Sequence, residues 1–267
     1  MARIPLNRFK QHQGAQQLPS RPDIISHRGG ALLWPENSLS AFAGTLALGV
    51  DEAECDVHIS ADHEIVIIHD ATLDRTTIAQ GPVASRNLAE LRRIALRGDS
   101  DGTVPALADL AALYRDGGPR LRIEIKTDAA GEPYPRLVAK TLAVLDSAGM
   151  RARSVLIGFQ APAMAEALAA GGLHGVSWLV DRRTLRDIGV EGVLATAAAY
   201  GFRDIGFGAT TLDAGLVSAL RVAGLRVNAW GANDAHEIGR MLEFGVSGFA
   251  TDDPRLALVL RDGYQSG

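Results

Sequence analysis

Short runs of apolar and β-branched residues recur along the chain. Between them lie Ala/Leu-rich stretches whose apolar positions follow the helical period. The runs DIIS (23–26), EAECDV (52–57), EIVIIH (64–69), LRIEIK (121–126), SVLIGF (154–159), GVSWLV (175–180), DIGFG (204–208), RVNAWG (226–231) and SGFAT (247–251) read as strands. Helical stretches cover 38–48, 88–94, 107–114, 134–147, 161–170, 183–200, 214–223 and 235–244. Gly49, Gly149, Gly171, Gly224 and Gly245 mark helix exits. This alternation predicts parallel strands covered by helices.

Nine strands are one more than a (β/α)8 barrel needs. Only SADH (60–63) separates EAECDV from EIVIIH, too little chain for a crossover helix. Strands joined that tightly are antiparallel. The expectation is therefore an α/β fold: a TIM-type barrel with an extra hairpin strand after the second barrel strand. Centring the turn on Ala61 and Asp62 sets Glu54 opposite His69 and Asp56 opposite Ile67. His63 stands where a tight turn prefers Gly, which leaves the turn type open.

At 267 residues, 47% hydrophobic and 22% charged, the chain suits one large core, and barrels of this size form single domains. The expected organisation is a polar N-terminal arm (1–22) followed by one barrel domain (23–267), with a small cap in 71–120. A net charge of −4 gives no broad basic surface for nucleic acid. Cys55 is the sole cysteine, so neither an intrachain disulfide nor a cysteine metal site is available, and a reducing, cytoplasmic setting is expected. No apolar run resembles a signal peptide or is long enough to span a bilayer.

Period two sends Glu54 and Asp56 to one face of their strand and Cys55, Val57 and Ile59 to the other. Two acids aimed into a barrel are costly unless paired or bound to a cation. They fit either ion pairs with Arg28 and Lys126 or a hard divalent cation. In LRIEIK, Glu124 and Lys126 share the inward parity, near the strand end where barrels of this type keep their catalytic groups. Glu124 would complete a three-carboxylate site, and a cation with Lys126 and Arg28 forms a clamp for phosphoryl oxygens. His27 and His69 each end a strand beside these acids, so one can take a proton while the other gives one. His12, His58, His63, His174 and His236 lack that setting and read as surface or packing residues.

HRG (27–29), PEN (35–37), E-x-D (54–56), HD (69–70) with LDRTT (73–77), VPAL (104–107), IEIK (123–126), NAW (228–230) and ATDDP (250–254) occur in that order. Together they resemble the glycerophosphodiester phosphodiesterase family, nearly throughout 25–77. The resemblance implies a TIM-type barrel. It implies one divalent cation, Mg2+ or Ca2+, on Glu54, Asp56 and Glu124. It implies acid–base roles for His27 and His69, and phosphate contacts from Arg28 and Lys126. Glu36 would orient Arg28 or the substrate, or else serve the N-terminus of the helix that follows. The two glycines after Arg28 would let the backbone approach the substrate.

The implied reaction is metal-dependent hydrolysis of a small glycerophosphodiester to sn-glycerol 3-phosphate and an alcohol. Water and the glycerol 2-hydroxyl are both admissible nucleophiles. The chain departs from the family pattern at Gly158-Phe159-Gln160 and at Gly231 after Trp230. Phe159 and Trp230 are accordingly read as substrate contacts at the mouth. Leu32, Leu33 and Trp34 make the first loop apolar, as packing under the cap or as a membrane-surface contact. The latter favours an alternative, a phospholipase acting on lysophospholipid or phosphoinositide head groups. A non-catalytic glycerophosphodiester-binding module is a further alternative, but it would be expected to have lost one of these acids or histidines.

Overall fold

The computed structural model describes residues 21–99 and 101–264. The expected arm lies almost wholly outside the described residues. Eight parallel strands close into a barrel: β1 (Asp23–Ser26), β2 (Glu52–Ile59), β4 (Arg120–Ile125), β5 (Ser154–Gly158), β6 (Gly175–Val180), β7 (Asp204–Gly208), β8 (Arg226–Trp230) and β9 (Gly248–Thr251). β1 bonds to both β2 and β9, which completes the ring. The extra strand, β3 (Ile65–Ile67), is antiparallel to the upper end of β2 and lies outside the ring. The expected barrel and hairpin are both present.

The hairpin register differs by one residue from the expectation. Val57 faces Ile67 and Ile59 faces Ile65, so the turn centres on Asp62 alone. Ser60 and Glu64 close a three-residue loop, in which His63 takes a left-handed φ of 66°. Such loops end in a left-handed residue, and His accepts that conformation more readily than β-branched residues. Asp56 consequently lies beside Ile68, and neither Glu54 nor Asp56 has the partner first expected. The strand ends at Ile67, so parity does not fix the direction of His69.

Helices α1 (Leu39–Leu48), α3 (Leu107–Tyr114), α4 (Leu137–Ser147), α5 (Ala161–Ala170), α6 (Arg182–Tyr200), α7 (Ala214–Val222), α8 (Ala235–Phe244) and α9 (Pro254–Gly263) surround the barrel; α2 (Leu88–Leu91) is one turn in the segment after β3. Cys55, Val57 and Ile123 face this layer and join its apolar core. α6 is interrupted at Gly189. α3, expected as part of the cap, is instead the crossover between β2 and β4. Its Leu107, Leu110 and Tyr114 sit in the main core, and the Tyr114 hydroxyl donates to the Phe42 carbonyl (2.8 Å). α9 was not anticipated, although Asp253 caps it and Pro254 opens it, a legible start signal.

The segment between β3 and α3 has its own apolar cluster: Val66, Ile68, Leu73, Val83, Leu91, Ile94, Leu96 and Val104. The helix expected over 88–94 stops at Leu91, and the next residues turn with i→i+3 bonds. Pro105 and Ala106 of VPAL pair with β3. No helix among the described residues is long and apolar enough to cross a membrane.

Candidate active site

Inward parity holds for Glu54 and Asp56 on β2 and for Glu124 on β4, and register sets Asp56 beside Glu124. One oxygen from each of the three carboxylates lies within 4.8 Å of the others. Lys126, just past β4, places Nζ 2.9 Å from Glu124 Oε1 and 3.4 Å from Asp56 Oδ1. All three acids are buried. Burial and the neighbouring Asp56 push the Glu54 carboxyl up to about 8. Burial opposes ionisation of Asp56 too, but Lys126, His69 and Arg28 outweigh it and hold its carboxyl down at about 2. Glu54 Oε1 and Asp56 Oδ1 are buried without a hydrogen-bond partner. Orphaned carboxylate oxygens in an all-oxygen cluster fit a hard divalent cation.

β1 ends in a tight turn over His27–Gly29. Arg28, Gly29 and Gly30 all have positive φ (53°, 80° and 90°), which turns the Arg28 N–H onto Glu54 Oε2 at 2.8 Å. The glycines serve this turn and its packing. A Cβ on Gly29 would sit 2.8 Å from Ala41 Cβ, and one on Gly30 would press on Trp34. Their bare faces meet α1 and Trp34.

Arg28 lies between Asp56 (Nε 3.5 Å from Oδ2) and Glu36 (Nη1 to Oε1, 3.1 Å). The N-cap of α1 is Ser38, and the Glu36 carboxylate is paired with Arg28. Asn37 of the same PEN stretch donates to Asp56 Oδ2 at 2.8 Å.

Each candidate acid–base histidine has its own carboxylate. His27 Nδ1 is 2.6 Å from Asp252 Oδ1, and Asn233 donates to the other Asp252 oxygen (2.8 Å). Burial disfavours the charged His27 ring, yet the hydrogen bond to Asp252 leads the influences that outweigh it and raise its pKa. His69 Nδ1 is 2.6 Å from Asp70 Oδ1. Asp70 in turn accepts from Arg75, which holds its carboxyl well below the usual range.

His58, expected as a surface or packing residue, is buried directly behind His69. It lies 3.1 Å through Nε2 from the His69 carbonyl and 2.9 Å through Nδ1 from the Tyr134 hydroxyl. The carbonyl can only accept, so Nε2 donates to it and Nδ1 accepts a hydrogen bond from the Tyr134 hydroxyl. Burial pushes this ring down to about 4, so it stays neutral.

His27, Arg28, Glu54, His69, Glu124 and Lys126 share one cleft of about 150 Å3 with Phe159 and Trp230. These two rings meet edge to face, centroids 5.5 Å apart, on the apolar wall. Trp34 lies against Gly44 of α1 with the Arg255 guanidinium over its ring (5.5 Å), a packing position, whereas Leu32 is exposed. Deeper in the barrel, Glu52 joins Arg122 (2.5 Å) and Arg120 (3.1 Å), and Arg120 reaches Asp23. Neither this charged layer nor the places of Asp252, Asp70, Arg75 and His58 beside the site were expected from the sequence. Strand parity would have found Glu52 and Arg122, since it equals that of Glu54 and Glu124. Barrel closure would have found Asp252, because the last strand must lie beside the first.

A parallel barrel with carboxylates, cations and paired histidines at the C-terminal ends of its strands carries the groups that phosphate-ester chemistry needs. The family model of the glycerophosphoryl diester phosphodiesterase family matches residues 27–256. The chain belongs to that family and is a phosphoric diester hydrolase. A glycerophosphodiester phosphodiesterase of Caldanaerobacter subterraneus subsp. tengcongensis is 28% identical over 251 residues, spanning 89% of this chain and 96% of the relative. The crystal structure of a candidate glycerophosphoryl diester phosphodiesterase from Agrobacterium tumefaciens is 35% identical with a TM-score of 0.89, covering 91% of this chain and 98% of that one. An Oleispira antarctica phosphodiesterase in complex with the product sn-glycerol-3-phosphate shares the fold: TM-score 0.78, 24% identity, 91% of this chain and 97% of that one.

Proposed function

We propose that the chain hydrolyses glycerophosphodiesters to sn-glycerol 3-phosphate and an alcohol, with one divalent cation, Mg2+ or Ca2+, on Glu54, Asp56 and Glu124. One observation carries the reading: Glu54 and Glu124 open on one cleft with Arg28, Lys126 and the two carboxylate-paired histidines, and Asp56 completes their carboxylate cluster just beneath. The bound cation would supply positive charge for the phosphoryl oxygens. Arg28 and Lys126 are the cationic side chains that take the remaining phosphate charge. Asp252 and Asp70 occupy Nδ1 of His27 and His69. Nε2 is therefore the atom that takes or gives the reacting proton on each ring. One histidine activates the nucleophile and the other protonates the leaving alkoxide, which leaves poorly without a proton. Phe159 and Trp230 offer an apolar wall to the carbon skeleton of the substrate.

The test is turnover of a panel of glycerophosphodiesters, read by release of glycerol 3-phosphate, with Mg2+, Ca2+ or chelator. Lysophospholipids run in parallel address the acyl-bearing alternative. Product release from glycerophosphodiesters that chelation stops and metal restores supports the reading. Turnover of lysophospholipid alone overturns the substrate assignment.

A further inference from the structure

The LDRTT stretch has no part in the chemistry proposed above, yet its arginine occupies a singular place in the charge network. Arg75 donates from Nε to Asp70 Oδ2 (2.7 Å) and from Nη2 to Asp70 Oδ1 (3.1 Å). The other edge of the same guanidinium donates to Glu36, from Nη1 to Oε2 (2.7 Å) and from Nη2 to Oε1 (2.8 Å). Two carboxylates are thus each gripped by two hydrogen bonds, one on either edge of a single planar group. The outer partners of those carboxylates matter. Asp70 Oδ1 is also the acceptor beside His69 Nδ1, and Glu36 Oε1 also takes Arg28 Nη1. The continuous order is His69, Asp70, Arg75, Glu36, Arg28.

We propose that Arg75 is a positioning residue that fixes the His69 ring and the Arg28 guanidinium relative to each other, so that proton transfer and phosphate binding share one frame. The proposal rests on the reading in which His69 and Arg28 act on the phosphodiester. It has a physical basis in chain connectivity. His69 and Asp70 follow β3, which lies outside the ring, while Arg28 and Glu36 belong to the loop after β1. No strand pairing joins β1 to β3 directly. Arg75 ties the two segments at the rim. The fork matters more than the charge. A lysine supplies one point donor and cannot hold two carboxylates edge-on. Arg75 is half exposed, so its ion pairs add little to stability, and their effect lies in geometry.

A plain surface staple for the segment after β3 would predict the reverse, a loss of stability with normal kinetics in the folded protein. The experiment compares Arg75→Lys and Arg75→Met with His69→Ala and Arg28→Lys, measuring kcat, KM and the thermal midpoint. Both Arg75 variants should lower kcat roughly tenfold to a hundredfold, as misplacement of reacting groups does, and raise KM several-fold with the thermal midpoint held. In a protein already carrying His69→Ala and Arg28→Lys, Arg75→Met should add almost nothing, because the groups it positions are gone. Normal kcat and KM in Arg75→Lys overturn the proposal. So does an effect of Arg75→Met that stays full-sized in the doubly substituted background. Near-normal turnover in His69→Ala and Arg28→Lys overturns the underlying reading instead, so the two failures are distinct.

Discussion

His27 Nδ1 lies 2.6 Å from Asp252 Oδ1, although 225 residues of chain separate them. The closed barrel makes the contact: Ser26 of β1 pairs in register with Thr251 of β9, and each residue of the charged pair is the next in sequence. Asp252→Asn should lower the His27 pKa, because the anion that outweighs burial is removed. The sign follows from the raised value. In the folded protein the protonated ring is favoured, so its stabilising contribution is complete below the unfolded value near 6.5 and is lost as pH rises through the folded one. Removing Asp252 moves whichever limb of the pH–rate profile His27 governs toward lower pH. NMR titration of the His27 ring checks this, and an unmoved or raised pKa contradicts it.

The two histidines should be separable from the cation. His27→Ala and His69→Ala are each expected to lower kcat by about 10²-fold, the usual worth of general acid–base catalysis. The metal concentration for half-maximal activity should change little, since neither ring is among the three proposed ligands. Turnover near the parent level in either variant removes that ring from the mechanism.

Glu52 and Arg122 lie deeper in the barrel and make a structural prediction. Glu52 is buried, and its carboxyl is held below the ordinary 4.5; burial opposes this, and Arg122 and Arg120 outweigh it. Glu52→Gln strands Arg122 as a buried charge and should cost about 3–5 kcal/mol at neutral pH. A depressed carboxyl pKa stabilises above the unfolded value and ceases to do so as pH falls through the folded one. The deficit of Glu52→Gln should therefore begin to shrink below about 4.5, where the unfolded chain's carboxyl takes up its proton, and go on shrinking as pH falls through the lower folded value. Urea unfolding across that range decides it, and a deficit independent of pH points to packing as its cause.

The histidine and carboxylate positions were legible because strand parity and local sequence state them. Glu54, Asp56, Glu124 and Lys126 needed only period two, and His27 and His69 close the strands they follow. The hairpin slipped by one residue because SADH carries no Gly to declare a left-handed position, and His63 took it. Asp252 lay hidden in ATDDP because its meaning depends on which strand closes the ring. His58 shares the parity of Asp56, but its burial comes from Tyr134, which arrives from a distant loop. Arg75 has no periodicity to read; its significance exists only once two loops meet at the rim.

Cation binding at this cluster should be coupled to release of a proton. Glu54 and Asp56 are buried side by side, and both cannot ionise cheaply without a compensating positive charge. Burial and Asp56 together keep the Glu54 carboxyl protonated up to about 8. A divalent cation on these oxygens requires the carboxylate form, so binding at neutral pH must release that proton. The half-saturating metal concentration should consequently fall as pH rises toward about 8 and level off above it. Calorimetry in two buffers of different ionisation enthalpy should register close to one proton released per ion at neutral pH. Glu54→Gln should abolish that release and raise the metal requirement. Chelation should stop turnover reversibly and leave the thermal transition of the barrel in place, because its apolar core lies between strands and helices, away from the mouth. Metal affinity that ignores pH between about 6 and 8, with no proton released, would show that Glu54 is already ionised and that Arg28 and Lys126 balance the cluster unaided.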